Sequence, residues 1–157
     1  MRSWLLLSVA IVAIAIMLTA GCVNEQTSGQ NSTVPESAVQ ASGQVTKVEV
    51  FHFHPTRQCV SCKAVGDLAG ETVNTSFVPE LASGKLVFRH INYQLPENAA
   101  LVKIYGVTGS SLMIGVYTPE GFHKEENLKV WYKIGNKEEY MSYLKGVIER
   151  RLAGDLS

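Results

Sequence analysis

The chain has 157 residues, and its 14 basic and 14 acidic side chains give a formal net charge of zero at neutral pH. This length suits one domain with a core of ordinary size. No basic patch stands out along the sequence, so we do not expect a nucleic-acid partner.

The first 22 residues predict a membrane tether. Arg2 precedes an apolar run from Trp4 to Ala20, and Gly21-Cys22 follows. This pattern is typical of a secretory signal, and the segment "LTAGC" resembles a lipoprotein processing box in which Cys22 receives the lipid. The alternative is an uncleaved transmembrane helix, although the run is slightly shorter than the roughly 20 residues that span a bilayer. Both alternatives anchor the chain to the cell membrane and predict that the rest of it lies on the extracytoplasmic side.

Residues 23–44 are rich in Ser, Gln, Asn, Thr and Gly and lack apolar periodicity, which predicts a disordered polar linker. We expect the folded domain to occupy residues 45–157. Its β-branched and aromatic start predicts a strand over residues 45–53. Apolar residues at helical spacing then predict a helix from Cys59, kinked or restarted at Pro79 and closed by Gly84.

The middle of the domain alternates again between strand and helix. Residues 85–93 predict a second strand, and residues 96–106 predict a helix with proline at its start and glycine at its end. Residues 111–117 predict a third strand. A Pro-Glu-Gly turn follows, and residues 122–134 predict a short fourth strand with an irregular return.

The last helix has the clearest signals. Asn136 can cap it, and Glu139 three residues later would complete a capping box. One apolar stripe follows, formed by Tyr140, Met141, Leu144, Val147, Ile148 and Leu152. The order β-α-β-α-β-β-α predicts an α/β fold, with a four-stranded mixed sheet flanked by helices.

Two cysteines stand where the first strand gives way to the first helix, in the order Cys59-x-x-Cys62. The first turn of a helix has unpaired amide donors and the positive end of the helix dipole. Both favour a thiolate at Cys59, and Arg57 two residues earlier adds positive charge. A thiol with a lowered pKa is a nucleophile at neutral pH, and Cys62 one turn later is placed to resolve a mixed disulfide.

Four segments carry a family resemblance: "FHFHPTRQCVSCK", "GKLVFRHINY", "PENAALVKIYGV" and "NLKVWYKIGNKEEYMSYLKGVI". From about Val45 to the C-terminus the chain resembles the thioredoxin superfamily. Within it these segments resemble the ArsF-type family, usually labelled a nitrophenyl compound nitroreductase subunit. The resemblance implies a thioredoxin-like domain with Cys59 and Cys62 as its redox pair.

The sequence departs from thioredoxins at one position. Thioredoxins have a cis-proline that faces the redox pair, whereas Ser110-Ser111 aligns with that region here. A cis peptide without proline costs about 2.5–4 kcal/mol, so we expect a trans bond. A serine at this point could donate a hydrogen bond to a thiolate, or the loop could be open enough to admit a metal.

His52 and His54 are predicted to share one face of the first strand with Val48 and Val50. Thioredoxins have a buried acid near this point that relays a proton to the second cysteine. Allowing one extra loop residue, His52 lies near that position and is a candidate base for Cys62. The alternative is that both histidines are ordinary polar residues with hydrogen bonds at a strand end. His90, inside the second strand, is expected to be a core histidine.

The same residues leave a metal site open. His52, His54, Cys59 and Cys62 could offer two nitrogens and two sulfurs to zinc, and thiolates would also accept copper(I). A purely structural disulfide is the third interpretation, although so short a loop stabilises little.

Taken together, these features predict a membrane-anchored, extracytoplasmic thiol–disulfide oxidoreductase that acts on protein thiols or disulfides. No organic cofactor is expected, because the sequence has no glycine-rich phosphate loop. A reductase would need a membrane electron donor or a reductase partner. The alternatives are a metal or metalloid carrier and an accessory subunit that passes electrons to a partner enzyme.

Overall fold

A computed structural model of the protein describes residues 44–157. The predicted signal or anchor, Cys22 and almost all of the linker lie outside the described residues. Within residues 44–157, no helix combines the length and apolar character needed to cross a membrane.

The described elements follow the predicted order. They are β1 (Lys47–His54), α1 (Val60–Ser76), α2 (Val78–Ala82), β2 (Leu86–Asn92), α3 (Ala99–Tyr105), β3 (Ser111–Thr118), β4 (Gly121–Glu126) and α4 (Lys137–Leu152). Single 3₁₀ segments precede α3 and α4, at Pro96–Asn98 and Leu128–Tyr132. The second of these is the irregular return expected after the fourth strand.

The four strands form one sheet in the order β2-β1-β3-β4. β1 pairs in parallel with β2, because α1 and α2 carry the chain back across the sheet. β3 pairs antiparallel with β1 and with β4. The predicted fold class, an α/β domain with a four-stranded mixed sheet flanked by helices, is therefore confirmed.

One face of the sheet packs against α1 and α4 and forms the larger core. Val48 and Val50 on β1 are fully buried there. The hydroxyl of Tyr140 in α4 donates a hydrogen bond to the Val65 carbonyl of α1 at 2.7 Å, which joins the two helices below the surface. Burial of aliphatic side chains at about 25 cal/mol per Å² is the main stabilising contribution here.

The other face packs against α3 around Phe51, Phe53, Ile91, Tyr105 and Met113.

A charged side chain lies inside this smaller core. Glu49, only 7% exposed, accepts hydrogen bonds from the hydroxyls of Tyr105 at 2.7 Å and Tyr117 at 3.1 Å. Lys47 Nζ lies 2.7 Å from the same carboxylate and balances its charge. The sequence analysis did not anticipate this group.

The helix ends follow the predicted signals with one correction. α1 ends at Ser76 with Phe77 as its C-cap, and Pro79 lies in the first turn of α2, where its missing amide costs nothing. Asn136 caps α4 by accepting from the Glu139 amide at 3.1 Å. The capping box is incomplete, because the Glu139 carboxylate pairs with Lys133 and the Asn136 amide donates to the Lys133 carbonyl instead.

Candidate functional site

The two cysteines lie at the end of the sheet where the parallel strands finish. Cys59 is the N-cap of α1 and is exposed, whereas Cys62 is only 9% exposed and faces the core. The two residues are joined by a disulfide, with their Cα atoms 5.0 Å apart. The sulfur that can be attacked from outside is therefore that of Cys59.

The Cys59 sulfur accepts a hydrogen bond from the Cys62 amide at 3.0 Å. This amide is one of the donors that a helix start leaves without a backbone partner. The first turn of α1 contains no acidic residue that would oppose negative charge. After reduction of the disulfide, a thiolate at Cys59 would gain from both the amide and the helix dipole.

The loop before Cys59 is tied to the end of β2. The Thr56 amide donates to Gln94 Oε1 at 2.8 Å, and Asn92 Nδ2 donates to the Thr56 hydroxyl at 3.0 Å. Arg57 is exposed and has no hydrogen bond or ion pair with other residues of the described domain. It lies next to the site without a fixed contact to either cysteine.

His52 lies under the first turns of α1. Its side chain is 1% exposed, and its ring packs directly against Gly66, one helical turn after Cys62. The pKa of His52 is lowered to about 4, mainly by burial and then by repulsion from His90 and His54. The Asp67 carboxylate and the Cys62 backbone act in the opposite direction. His52 is therefore neutral at pH 7, and its Nε2 atom has no partner in the described part of the chain.

Two glycines on α1 make room for side chains of the sheet, Gly66 for His52 and Gly70 for Phe88 and His90. A Cβ added at Gly66 would lie under 3.0 Å from Nδ1, Cε1 and Cγ of His52. Contacts this short are essentially never found for real Cβ atoms. A Cβ added at Gly70, one turn later, would meet Phe88 at 3.0 Å and His90 Nε2 at 3.8 Å. Glycine inside a helix lowers stability by about 1 kcal/mol relative to alanine. The close approach of the rings explains why glycine nevertheless stands at both positions. Two glycines one turn apart in a predicted helix were the signal available in the sequence.

His90 also belongs to the site, which the sequence analysis missed. The parallel register places His52 opposite His90, and their Nδ1 atoms are 3.0 Å apart, within hydrogen-bond distance. His90 is an exposed residue, so the expectation of a core histidine was wrong. Burial of its inner part and repulsion from His54 lower its pKa. Alternation along β2 places His90 on the face of Leu86 and Phe88, but only the register identifies its partner.

His54 is half-buried and stacks on His52, with ring centroids 5.4 Å apart. Its Nδ1 atom donates to the Pro55 carbonyl at 2.9 Å. Within residues 44–157, no group of three or more His, Cys, Asp or Glu side chains is placed to hold a metal ion. The set His52, His54, Cys59 and Cys62 is thus not assembled as a metal site while the cysteines form a disulfide.

Ser110 and Ser111 lie where the third strand begins, and the described residues contain no cis peptide bond. Ser111 pairs with Phe53, so its side chain lies on the α3 face of the sheet, opposite His52. Its hydroxyl is buried and has no hydrogen-bond partner among the described residues. The suggested hydrogen bond from this serine to a cysteine is therefore absent from the described structure.

Comparison with solved structures finds chains that resemble this one. The chain is similar to a thioredoxin from Thermus thermophilus, solved in solution, with a TM-score of 0.42 and 15% sequence identity. The alignment covers 67% of this chain and 76% of the thioredoxin. No protein-family model and no curated protein matches the chain.

Proposed function

We propose that the protein is a membrane-tethered, extracytoplasmic thiol–disulfide oxidoreductase of the ArsF type within the thioredoxin superfamily. One observation carries the proposal: an exposed cysteine caps a helix and accepts its amide, and it forms a disulfide with a buried cysteine one turn later. A structural disulfide gains little from a loop this short. Exposure of one sulfur and burial of the other suit a bond that is made and broken.

In the proposed reaction, the Cys59 thiolate attacks a disulfide of a partner protein and displaces one of its thiolates. The product is a mixed disulfide between Cys59 and the partner. Cys62 then loses its proton and attacks the Cys59 sulfur, which releases the second partner thiolate. The partner gains two electrons, and the Cys59–Cys62 disulfide stores the oxidising equivalent. The reverse sequence would oxidise a partner dithiol.

The surrounding side chains receive separate roles. His52 is the proposed proton acceptor for Cys62, because its ring lies under the helix turn that begins there and is neutral at pH 7. Arg57 is exposed near Cys59 and would add positive potential for an approaching thiolate. The dithiol supplies the redox chemistry, so the proposal includes no organic cofactor.

The proposed location follows from the N-terminal sequence. Lipidation at Cys22, or an uncleaved apolar helix, would anchor the protein in the cell membrane. The linker would then let the domain reach protein partners outside the cytoplasm, where disulfides persist. As a reductase it would need a membrane electron donor to restore the dithiol.

The test is a redox titration of the full-length protein in detergent, with Cys59→Ser and Cys62→Ser as matched variants. We expect one reversible two-electron transition that is absent from both variants. Its midpoint, compared with those of known reductases and oxidases, gives the direction of electron flow. Metal content is measured on the same preparations. Cysteines that stay reduced around stoichiometric zinc or copper, released only by the two substitutions, would refute the redox proposal in favour of a metal carrier.

A further inference from the structure

We propose that His90 is the outer half of a two-imidazole proton relay, in which it links His52 and Cys62 to solvent. This inference rests on the proposed function, because the relay serves the step in which Cys62 becomes a thiolate. His90 does not touch the reacting sulfur in this scheme. It is a positioning and proton-accepting residue that acts through His52.

The first argument is the gradient of burial along the pair. His52 is 1% exposed, so a proton that it receives has no direct exit to water. Its Nδ1 atom lies 3.0 Å from Nδ1 of His90, and His90 is an exposed residue. The pair therefore forms a continuous route from the underside of α1 to solvent.

The second argument comes from the hydrogen bond itself. Two neutral imidazoles can share an Nδ1···Nδ1 bond only when one nitrogen carries the proton and the other accepts it. The tautomers of His52 and His90 are consequently coupled. When His52 carries its proton on Nδ1, its Nε2 atom has a free lone pair. Among the described residues this atom makes no well-formed hydrogen bond, although the Cys62 backbone stabilises a proton on the ring.

The proton then moves without leaving a charge on the buried ring. The Cys62 thiol gives its proton to His52 Nε2, while the Nδ1 proton of His52 passes to His90 Nδ1. His90 releases its own Nε2 proton to water. His52 then carries its proton on Nε2 and His90 carries its proton on Nδ1, so both tautomers have changed. When the disulfide is reduced, the same steps run in reverse and return a proton to Cys62.

The charges around the pair favour this concerted transfer over a stable imidazolium. His54 on β1 faces both rings, with centroids 5.4 Å from His52 and 6.3 Å from His90. Asp67 on α1 is the one carboxylate that favours the protonated form of either ring. The β3 residue opposite His52 is Leu112, which carries no charge. A single buried histidine would instead have to hold a full charge here, which burial disfavours.

The experiment uses the reduced full-length protein and one equivalent of 5,5′-dithiobis(2-nitrobenzoate), followed by stopped-flow absorbance. The first release of thionitrobenzoate reports attack by Cys59, and the second reports attack by Cys62 on the mixed disulfide. A variant with both Cys59→Ser and Cys62→Ser gives the background from Cys22, which is subtracted. His123→Gln on the exposed surface of β4 is the matched control substitution.

For His90→Gln we expect an unchanged first release and a second release that is slower by about tenfold or more at neutral pH. In this variant the rate of the second release should rise about tenfold per pH unit, because hydroxide then removes the Cys62 proton. In the unmodified protein the same rate should depend less steeply on pH. Added imidazole should restore the second release in His90→Ala. A wild-type rate and pH profile of the second release in His90→Gln would overturn the relay. Loss of the second release in the unmodified protein, or its persistence in Cys62→Ser, would instead refute the proposed function.

A measurement on the unmodified protein covers the case in which His90→Gln does not fold. Nitrogen-15 NMR of the histidine rings should find one of the two rings protonated at Nδ1, with that proton coupled to both Nδ1 atoms. Two rings protonated only at Nε2, with no shared proton, would overturn the relay as well.

Discussion

Replacing Gly66 by alanine tests the position of His52 more directly than any change to the histidine itself. The new Cβ would lie under 3.0 Å from three atoms of the His52 ring. His54 stacks on the ring and His90 lies within hydrogen-bond distance of its Nδ1 atom, so a shift of the ring would disturb both contacts. The substitution therefore overpacks the site and does not merely fill a gap.

The expected magnitude combines three contributions. Overpacking of a tight site costs about 1–3 kcal/mol, and loss of the His52–His90 hydrogen bond adds about 1 kcal/mol. Alanine in place of a helical glycine returns about 1 kcal/mol. We therefore expect Gly66→Ala to lower the free energy of unfolding by about 1–3 kcal/mol, measured by urea denaturation with linear extrapolation.

Two other helical glycines provide matched controls. A Cβ at Gly146 on α4 would meet only the end of the Arg150 side chain at 3.8 Å, so Gly146→Ala should stabilise the protein by about 1 kcal/mol. At Gly70 the neighbour is the half-buried Phe88, which must shift by a few tenths of an ångström, and we expect little net change. Equal stabilisation by Gly66→Ala and Gly146→Ala would refute the placement of His52 against α1.

Three further predictions concern stability. The folded-state pKa of His52, about 4, lies below its unfolded value of 6.5, so the unfolded chain binds the proton more tightly between these values. The free energy of unfolding should therefore fall by about 3 kcal/mol on acidification through this range. If a His52→Gln variant loses stability with falling pH to the same extent, His52 is not the group responsible. Tyr105→Phe removes a hydroxyl that donates to the buried Glu49 carboxylate, so the free energy of unfolding should fall by about 1.5–3 kcal/mol in urea denaturation. A loss below about 0.5 kcal/mol would mean that this hydrogen bond adds little to stability. Asn136→Ala should lower the free energy of unfolding by about 1 kcal/mol through loss of the α4 cap. Asn136→Asp should retain most of the stability, and equal losses in both variants would show that the cap is not the cause.

Local patterns in the sequence predicted the position of the cysteine pair and its immediate setting. A CxxC segment after a strand rich in β-branched residues predicted a helix that begins at the cysteines, and α1 begins at Val60 with Cys59 as its cap. This prediction was possible because capping and the exposure of a helix start depend on neighbours in the chain. The proposed roles of Arg57 and His52 stay predictions until the kinetic and redox experiments are done.

The rest of the site depends on residues that are far apart in sequence. His52 and His90 are separated by 38 positions and meet only through the parallel register of β1 and β2. Gly66 was visible only as a glycine in a helix until the structure placed it against an imidazole ring. Periodicity assigns each side chain to a face of its own strand, but it does not specify which residue of another strand lies opposite.

The sequence by itself thus determined the order of elements, the mixed four-stranded sheet and the cysteine pair at a helix start. These features follow from periodicity, turn residues and capping, all of which act over a few positions. Only the tertiary structure decided that three histidines meet on the sheet with His52 against α1, that Glu49 is buried between two tyrosines, and that Ser111 points away from His52. Those outcomes depend on strand register and on how closely α1 approaches the sheet, which are decided by the packing of the whole domain.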